Sequence, residues 1–335
     1  MIKKHYFVCI LFLTLFIAIA GCKKSDDKNL PKITISRLYL SVSTTGPDSL
    51  LKNTLVFDPA DEAPFALHPF LSEMVGSQGI CLNDSSFRGY QVSARLRRVN
   101  MFNVDIKGSL TQSSFFVDSS LTTPRDIAYR RKDKLLFISN NKDNTIRTYY
   151  NPDTISGKKN KPTGKLKLTG TPQGICLDHD NLFIVISGGL NEILLAKIAK
   201  SDSLVFPLKS KINISGAVNL CGIFYSAKQD VLLVTDIGSE TNANDGKIFI
   251  IADAAAKFAA GGLISPTRVI SGPATLLGNP VDIDLDQRED KNLIYVAEKL
   301  NKKILVFKLG DVGDIAPTIS QDVASSPESI YLDAR

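Results

Sequence analysis

The 335-residue chain has no tryptophan, three histidines and three methionines. Without Trp it lacks the broadest aromatic face on which a sugar ring could stack, and nine tyrosines are the nearest substitute. The histidines, His5, His68 and His179, lie far apart, and no CxxC or Cys/His spacing marks a zinc site. No Gly-x-Ser-x-Gly segment is present, which removes the nucleophile elbow of a serine hydrolase. Lys and Arg form no run of the kind that grips nucleic acid, and the formal charge of +6 is mild, so no nucleic-acid partner is expected. Cysteine is scarce. Beyond Cys9 and Cys22 there are Cys81, Cys176 and Cys221, two of them in "GICL" within apolar strands, so buried unpaired thiols are expected.

The one long apolar run, Tyr6–Ala20, follows the basic start Met1-Ile2-Lys3-Lys4. About twenty residues are needed to span a bilayer, so this shorter run reads as a secretory signal. It ends in Ile19-Ala20-Gly21-Cys22, which resembles the lipobox of bacterial lipoproteins. The resemblance implies a signal peptide over 1–21 and lipidation of Cys22, giving a membrane partner through the lipid. The charge falls from +6 to +4 once Lys3 and Lys4 leave with the signal. The polar segment Lys23-Lys24-Ser25-Asp26-Asp27-Lys28 then reads as part of a flexible tether over 22–31. It is similar to the acidic signal of surface lipoproteins of Bacteroidetes. That implies an outer-membrane lipid-anchored protein at the cell surface, with the periplasmic face as the alternative.

The rest is repetitive. "SQGICLND", "PRDIAYRR", "PQGICLDH", "LCGIFYSA", "PVDIDLDQ" and "PESIYLDA" share an Ile preceded by Gly79, Asp126, Gly174, Gly222, Asp282 and Ser329. The intervals between those residues are 47, 48, 48, 60 and 47. A fixed period of this size marks a repeat architecture. Each of the first five copies is followed by a second β-rich run, such as "LLFIS" from Leu135 or "LIYVA" from Leu293. A polar turn and a third run come next, such as "NTIRTYY" from Asn144, and then a weaker fourth such as "GKLKLTG" from Gly164. Four antiparallel strands per period without long helices describe a propeller blade. The last copy supplies one strand and the chain stops, while "SRLYLSVS" and "NTLVFDPA" near the start lack a first strand. Pairing the C-terminal strand with these completes a sixth blade. The expected fold is therefore an all-β, six-bladed β-propeller over 32–335; an extra blade in the weakly patterned first segment would make seven.

Units such as "TPRDIAYRRKDKLLFISNNKDNTIRTYY" resemble NHL repeats and the related YVTN-type propeller repeats. The resemblance implies architecture and leaves activity open, because these folds serve sensors, scaffolds and lactonases alike. In such a fold the loop leading into strand one and the loop between strands two and three share the top face, the usual binding surface. Candidate ligand-binding residues there are Arg125, Asp126, Gln173, Asn140, Asp236, Asp282, Glu298 and Glu328. Asp126 and Asp282 have a second reading, as caps for backbone amides of the next blade.

Two acidic stretches bear on metal binding. "DIDLDQRED" from Asp282 fails as a calcium loop, having Gln287 at position six and Leu293 at position twelve. "TDIGSETNANDGKI" from Thr235 offers Asp236, Glu240 and Asp245 in one loop. The weak metal candidates are therefore Asp236, Glu240, Asp245 and Asp282; no cofactor is expected, calcium being the ion these oxygens would accept. The six-bladed gluconolactonase-like family sets a divalent metal over its channel, but its early acidic motif precedes a Trp that this chain does not have. The leading expectation is a cell-envelope module that binds or scaffolds an outer-membrane protein partner or a glycan. A metal-dependent lactonase-like enzyme is the alternative. The 60-residue interval also holds "DAAAKFAAGG" from Asp253, which reads as a short helix with an Asp N-cap and a Gly stop.

Overall fold

A computed structural model describes residues 34–43, 53–72, 74–83, 87–198 and 207–335. The signal, the tether and Cys22 lie outside the described residues.

The described residues begin with β1 (Ser36–Ser43), β2 (Thr54–Phe57) and β3 (Leu67–Phe70). Blade I follows with β4 (Ser77–Asn83), β5 (Arg88–Ser93), β6 (Arg98–Val104) and β7 (Leu110–Val117). Blade II is β8 (Pro124–Arg130), β9 (Leu135–Asn140), β10 (Thr145–Tyr150) and β11 (Gly164–Lys167). Blade III is β12 (Thr171–Asp178), β13 (Asn181–Ser187), β14 (Glu192–Lys197) and β15 (Leu208–Ile214). Blade IV has β16 (Leu220–Ser226), β17 (Val231–Asp236) and β18 (Lys247–Ala252), then the helix α1 (Ala254–Ala260) and a short strand, β19 (Gly262–Ile264). It closes with β20 (Arg268–Ser271). Blade V is β21 (Pro280–Asp286), β22 (Leu293–Glu298), β23 (Lys303–Lys308) and β24 (Ile319–Asp322). The final strand, β25 (Ser326–Ala334), returns to the beginning and pairs antiparallel with β1, from Ser36 opposite Ala334 to Ser43 opposite Ser326. Blade VI is thus β25-β1-β2-β3, and the six-bladed ring closes as the repeat spacing predicts.

The apolar core is a ring of six clusters, one at each junction between neighbouring blades. Alternating side chains send one face of each sheet toward one neighbour and the other face toward the next. The VI–I junction has the smallest cluster, built on Tyr39, Val56, Ile80, Leu82, Phe102 and Val104. Polar contacts supplement it. Buried Gln91 donates to Ser41 Oγ at 2.8 Å and accepts from Thr54 Oγ1 at 3.2 Å, both residues of blade VI.

The long interval serves packing. Phe258 of α1 is buried, its ring 5.4 Å from that of Phe183 in blade III. β19 then pairs parallel with β15, giving blade III a fifth strand taken from the blade IV segment. The helix stops at Gly261 as the sequence suggests, but Asp253 is not its side-chain cap. Asp253 sits at φ 53°, and Asp230 caps instead, taking the Ala255 amide on Oδ1 at 2.9 Å. A turn 25 residues upstream thus supplies the acceptor that local sequence assigned to the adjacent Asp.

Candidate functional site

The six inner strands, β4, β8, β12, β16, β21 and β25, surround a central channel. Each presents its shared Ile and the residue before it to the next inner strand. At Gly174 a Cβ would lie 2.6 Å from the Cys221 carbonyl oxygen, and at Gly222 2.6 Å from Asp282 Cα. Glycine stands where backbone meets backbone. Where the position is Asp, the side chain bridges instead. Asp126 accepts the Ile175 amide of blade III at 2.8 Å and its neighbour Ile127 at 2.8 Å. Asp282 does the same for Ile330 of blade VI and for Ile283, both at 2.9 Å. Asp284, two residues on, takes Leu332 at 2.8 Å. The capping reading of Asp126 and Asp282 is therefore what the geometry displays. Burial, then the charge of Asp282, pushes Asp126 up to about 7; burial likewise raises Asp282, and Asp284 to about 7.

A second rule governs the ends of the second strands. Asp236 is fully buried and accepts the amides of Val218 at 2.6 Å and Asn219 at 2.8 Å, from the loop leading into its own blade. It also takes Gly238 at 2.8 Å. Glu298 accepts Asn279 at 2.8 Å, Gly278 at 3.1 Å, Leu300 at 3.0 Å and Asn301 at 3.2 Å. Burial raises its pKa against the pull of those amides. Asn140 plays the same part in blade II, taking the Thr123 amide at 3.0 Å and donating to Asp143 at 2.6 Å. These three side chains hold the loops that shape the top face and do not open onto it.

The residues that do open onto it line a cavity of about 670 Å³ over the channel mouth. Gln78, Arg125, Gln173, Glu328, Lys299 and Glu240 supply its polar wall. Arg125 forms much of the floor. From blade II its guanidinium crosses the channel and donates to the Glu328 carbonyl of blade VI at 2.9 Å and the Val281 carbonyl of blade V at 3.0 Å. Cys221 Sγ of blade IV lies 3.7 Å away. Burial opposes the charge, but Cys221, Glu328, Asp126 and Asp282 around it outweigh that and raise the Arg125 pKa. Glu328 is shared between Lys299 at 2.8 Å and Arg125 at 4.0 Å. Below, a separate space of about 210 Å³ is lined by Asp126, Asp282, Asp284 and Cys81 among apolar side chains.

The structure thus brings Arg125, Gln173 and Glu328 together with Glu240, and sends Asp126, Asp282, Asn140, Asp236 and Glu298 into the scaffold. Lys299 and Gln78 sit at the positions the repeat assigns to the top face, so the periodicity itself pointed to them. Arg125's reach across the channel has no such sequence signal. The metal candidates do not converge. Asp236 and Asp282 are occupied by amides, Asp245 receives the Ser239 amide at 3.1 Å, and Glu240 stands exposed in the mouth. Among the described residues no group of three His, Cys, Asp or Glu could hold a metal ion. The donor set therefore does not fit a divalent centre. The thiols of Cys81, Cys176 and Cys221 are free, and burial raises all three pKa values, that of Cys176 to about 12.

No family model matches the sequence, and no curated protein matches it. Solved structures do. A chain of a nidogen/laminin complex is 11% identical, superposes with a TM-score of 0.60, and the match covers 89% of this chain and 98% of that one. A Bacteroides fragilis protein provisionally assigned as a 6-phosphogluconolactonase is 12% identical with a TM-score of 0.61, covering 90% and 99%. The periplasmic gluconolactonase PpgL of Pseudomonas aeruginosa is 12% identical with a TM-score of 0.60, covering 90% and 99%. At such identities the likeness speaks for architecture alone, and the chain is a six-bladed β-propeller.

Proposed function

We propose that this propeller is a binding module of the cell envelope, held to the outer membrane through Cys22, with the top-face mouth as its site. The observation that carries this reading is the division of labour among its polar residues. Of the carboxylates that could have served a metal, Asp236, Asp245 and Asp282 accept backbone amides, whereas Glu240 lines an open cavity with Gln78, Gln173, Arg125 and Lys299. Such a surface suits recognition, since it offers donors and acceptors around a preformed concavity. A lactonase is the second reading, favoured by the likeness in fold to a periplasmic gluconolactonase.

Site-specific photocrosslinking in the producing cells tests the first reading. A photoreactive residue at Gln173 in the mouth is expected to capture a partner, and one at Lys228 on the opposite face is not. Equal labelling at both positions, or none at Gln173, overturns it. Calcium-dependent hydrolysis of gluconolactone, lost in Glu240→Gln, would establish the second.

A further inference from the structure

We infer that the partner of the top face is a protein segment that combines acidic with apolar residues. The inference rests on the binding reading above and deepens it.

Three of the four-residue hairpins around the mouth carry an exposed leucine each: Leu96 in blade I, Leu190 in blade III and Leu300 in blade V. Val218 stands beside the second of these, its carbonyl accepting from Asn191 of the same hairpin at 2.8 Å. The hairpins of blades I and V are also basic, as is the leucine-free hairpin of blade II. Arg95 and Arg97 flank Leu96, Lys142 tips the blade II hairpin, and Lys299 and Lys302 enclose Leu300. Arg95, Lys142 and Lys302 are exposed and make no ion pair among the described residues. Opposing them, Glu240 is the one exposed carboxylate in the described top loops. Asp322, at the rim on the outermost strand, is paired with Lys303. Cations and leucines thus stand on the hairpins of blades I, II, III and V around a concave mouth, and complementary charge selects and orients a partner while buried apolar contacts supply affinity.

An anionic bilayer would also attract such a surface. Two features favour a protein. A planar surface cannot fill a cavity of about 670 Å³, whereas a projecting side chain or chain end can. The leucines are 37%, 41% and 39% exposed, so each keeps more than half of its surface covered and does not stand out as an inserting knob.

The test is selection from a library of random displayed 12-residue peptides on the full chain carrying Cys22→Ser, with counter-selection on the same chain bearing Lys142→Glu/Lys302→Glu. Expected is enrichment of sequences combining Asp or Glu with Leu, Ile or Phe. The best of them should bind about tenfold more weakly in the charge-reversed variant and again in Leu96→Ser/Leu300→Ser. Its affinity should also fall about tenfold as salt rises through the range that screens exposed charges. Melting curves identify any variant that has lost its fold, and Lys142→Gln/Lys302→Gln then serves in its place. Enrichment of neutral or basic peptides that bind the mouth overturns the inference and leaves the binding reading standing. Failure to enrich any sequence over the counter-selected pool, together with no mouth crosslink, overturns both. Sedimentation with phosphatidylglycerol vesicles that depends on Leu96 and Leu300, without peptide enrichment, assigns the face to a membrane and also overturns the inference.

Discussion

Trimming the C-terminal strand should cost this protein as much as trimming its deepest core. Ile330 and Leu332 are 5% and 9% exposed although they lie within six residues of the chain end. Both pack in the V–VI cluster with Val281, Tyr295 and Val306. Their amides are taken by Asp282 and Asp284, so the backbone beneath them is held and cannot collapse freely to fill a void. Replacing a buried Ile or Leu by Ala costs about 2–4 kcal/mol when the site cannot relax. For a chain of this size each kcal/mol lowers the midpoint by about 2 °C, so Ile330→Ala and Leu332→Ala should each melt about 4–8 °C below the parent. The two side chains share one cluster, so the double variant should depart from the sum of the singles. Circular dichroism melts read the shift directly. Removal of Ser326–Arg335 would strip blade VI of its inner strand and expose the edges of β1, and that variant should lose the cooperative transition altogether. A midpoint within about 1 °C of the parent for both Ala variants, as at an unanchored terminus, would refute the account of ring closure.

Three more outcomes follow from the scaffold. Asp126 and Asp284 are raised to about 7 from an unfolded value near 3.8, so the folded chain retains protons there that the unfolded chain has released. Their contribution is therefore fully present below about pH 4, falls as pH rises toward 7 and is level above it; Asp284→Asn should flatten that slope in a pH series of urea melts, and an unchanged slope would refute the assignment. Glu298→Ala leaves the amides of Gly278, Asn279, Leu300 and Asn301 without their acceptor and should cost about 3–5 kcal/mol in urea unfolding, with Glu298→Gln in between. Gly222→Ala would force a Cβ to 2.6 Å from the Asp282 backbone, so a loss of about 1–3 kcal/mol is expected; a neutral result would mean the inner strands separate freely.

Much of this fold is legible because its causes are local and repeated. Strand type follows from runs such as "LLFIS" and "LFIVI", whose β-branched and aromatic residues fit a sheet buried on both sides. Blade count follows from the recurring Ile and its spacing of 47–48 residues, stretched once to 60, and closure from a lone strand at one end and missing strands at the other. The candidate site was legible to a lesser depth. Periodicity places Arg125, Gln173, Lys299 and Glu328 around the mouth because a repeat returns each copy to the same height on the channel wall.

It does not say what each polar side chain touches, and that the tertiary structure decides. Asp126 and Asp282 can be read in sequence as ligands or as caps, and folding settles on caps, each accepting an amide in the next blade, 49 and 48 residues away. Asp236 and Glu298 are consumed by loops 17–20 residues upstream. Arg125 spans the channel to blades V and VI, a contact across 156 and 203 residues that no local pattern encodes. The helix at Ala254 was readable as a helix, but its capping acceptor is Asp230, across a turn of the sheet. Sequence by itself determined the strands, the blades and the ring, because hydrophobic period and repeat length are properties of neighbours along the chain. Which carboxylates hold the scaffold and which groups remain to meet a ligand depends on partners brought together only by folding.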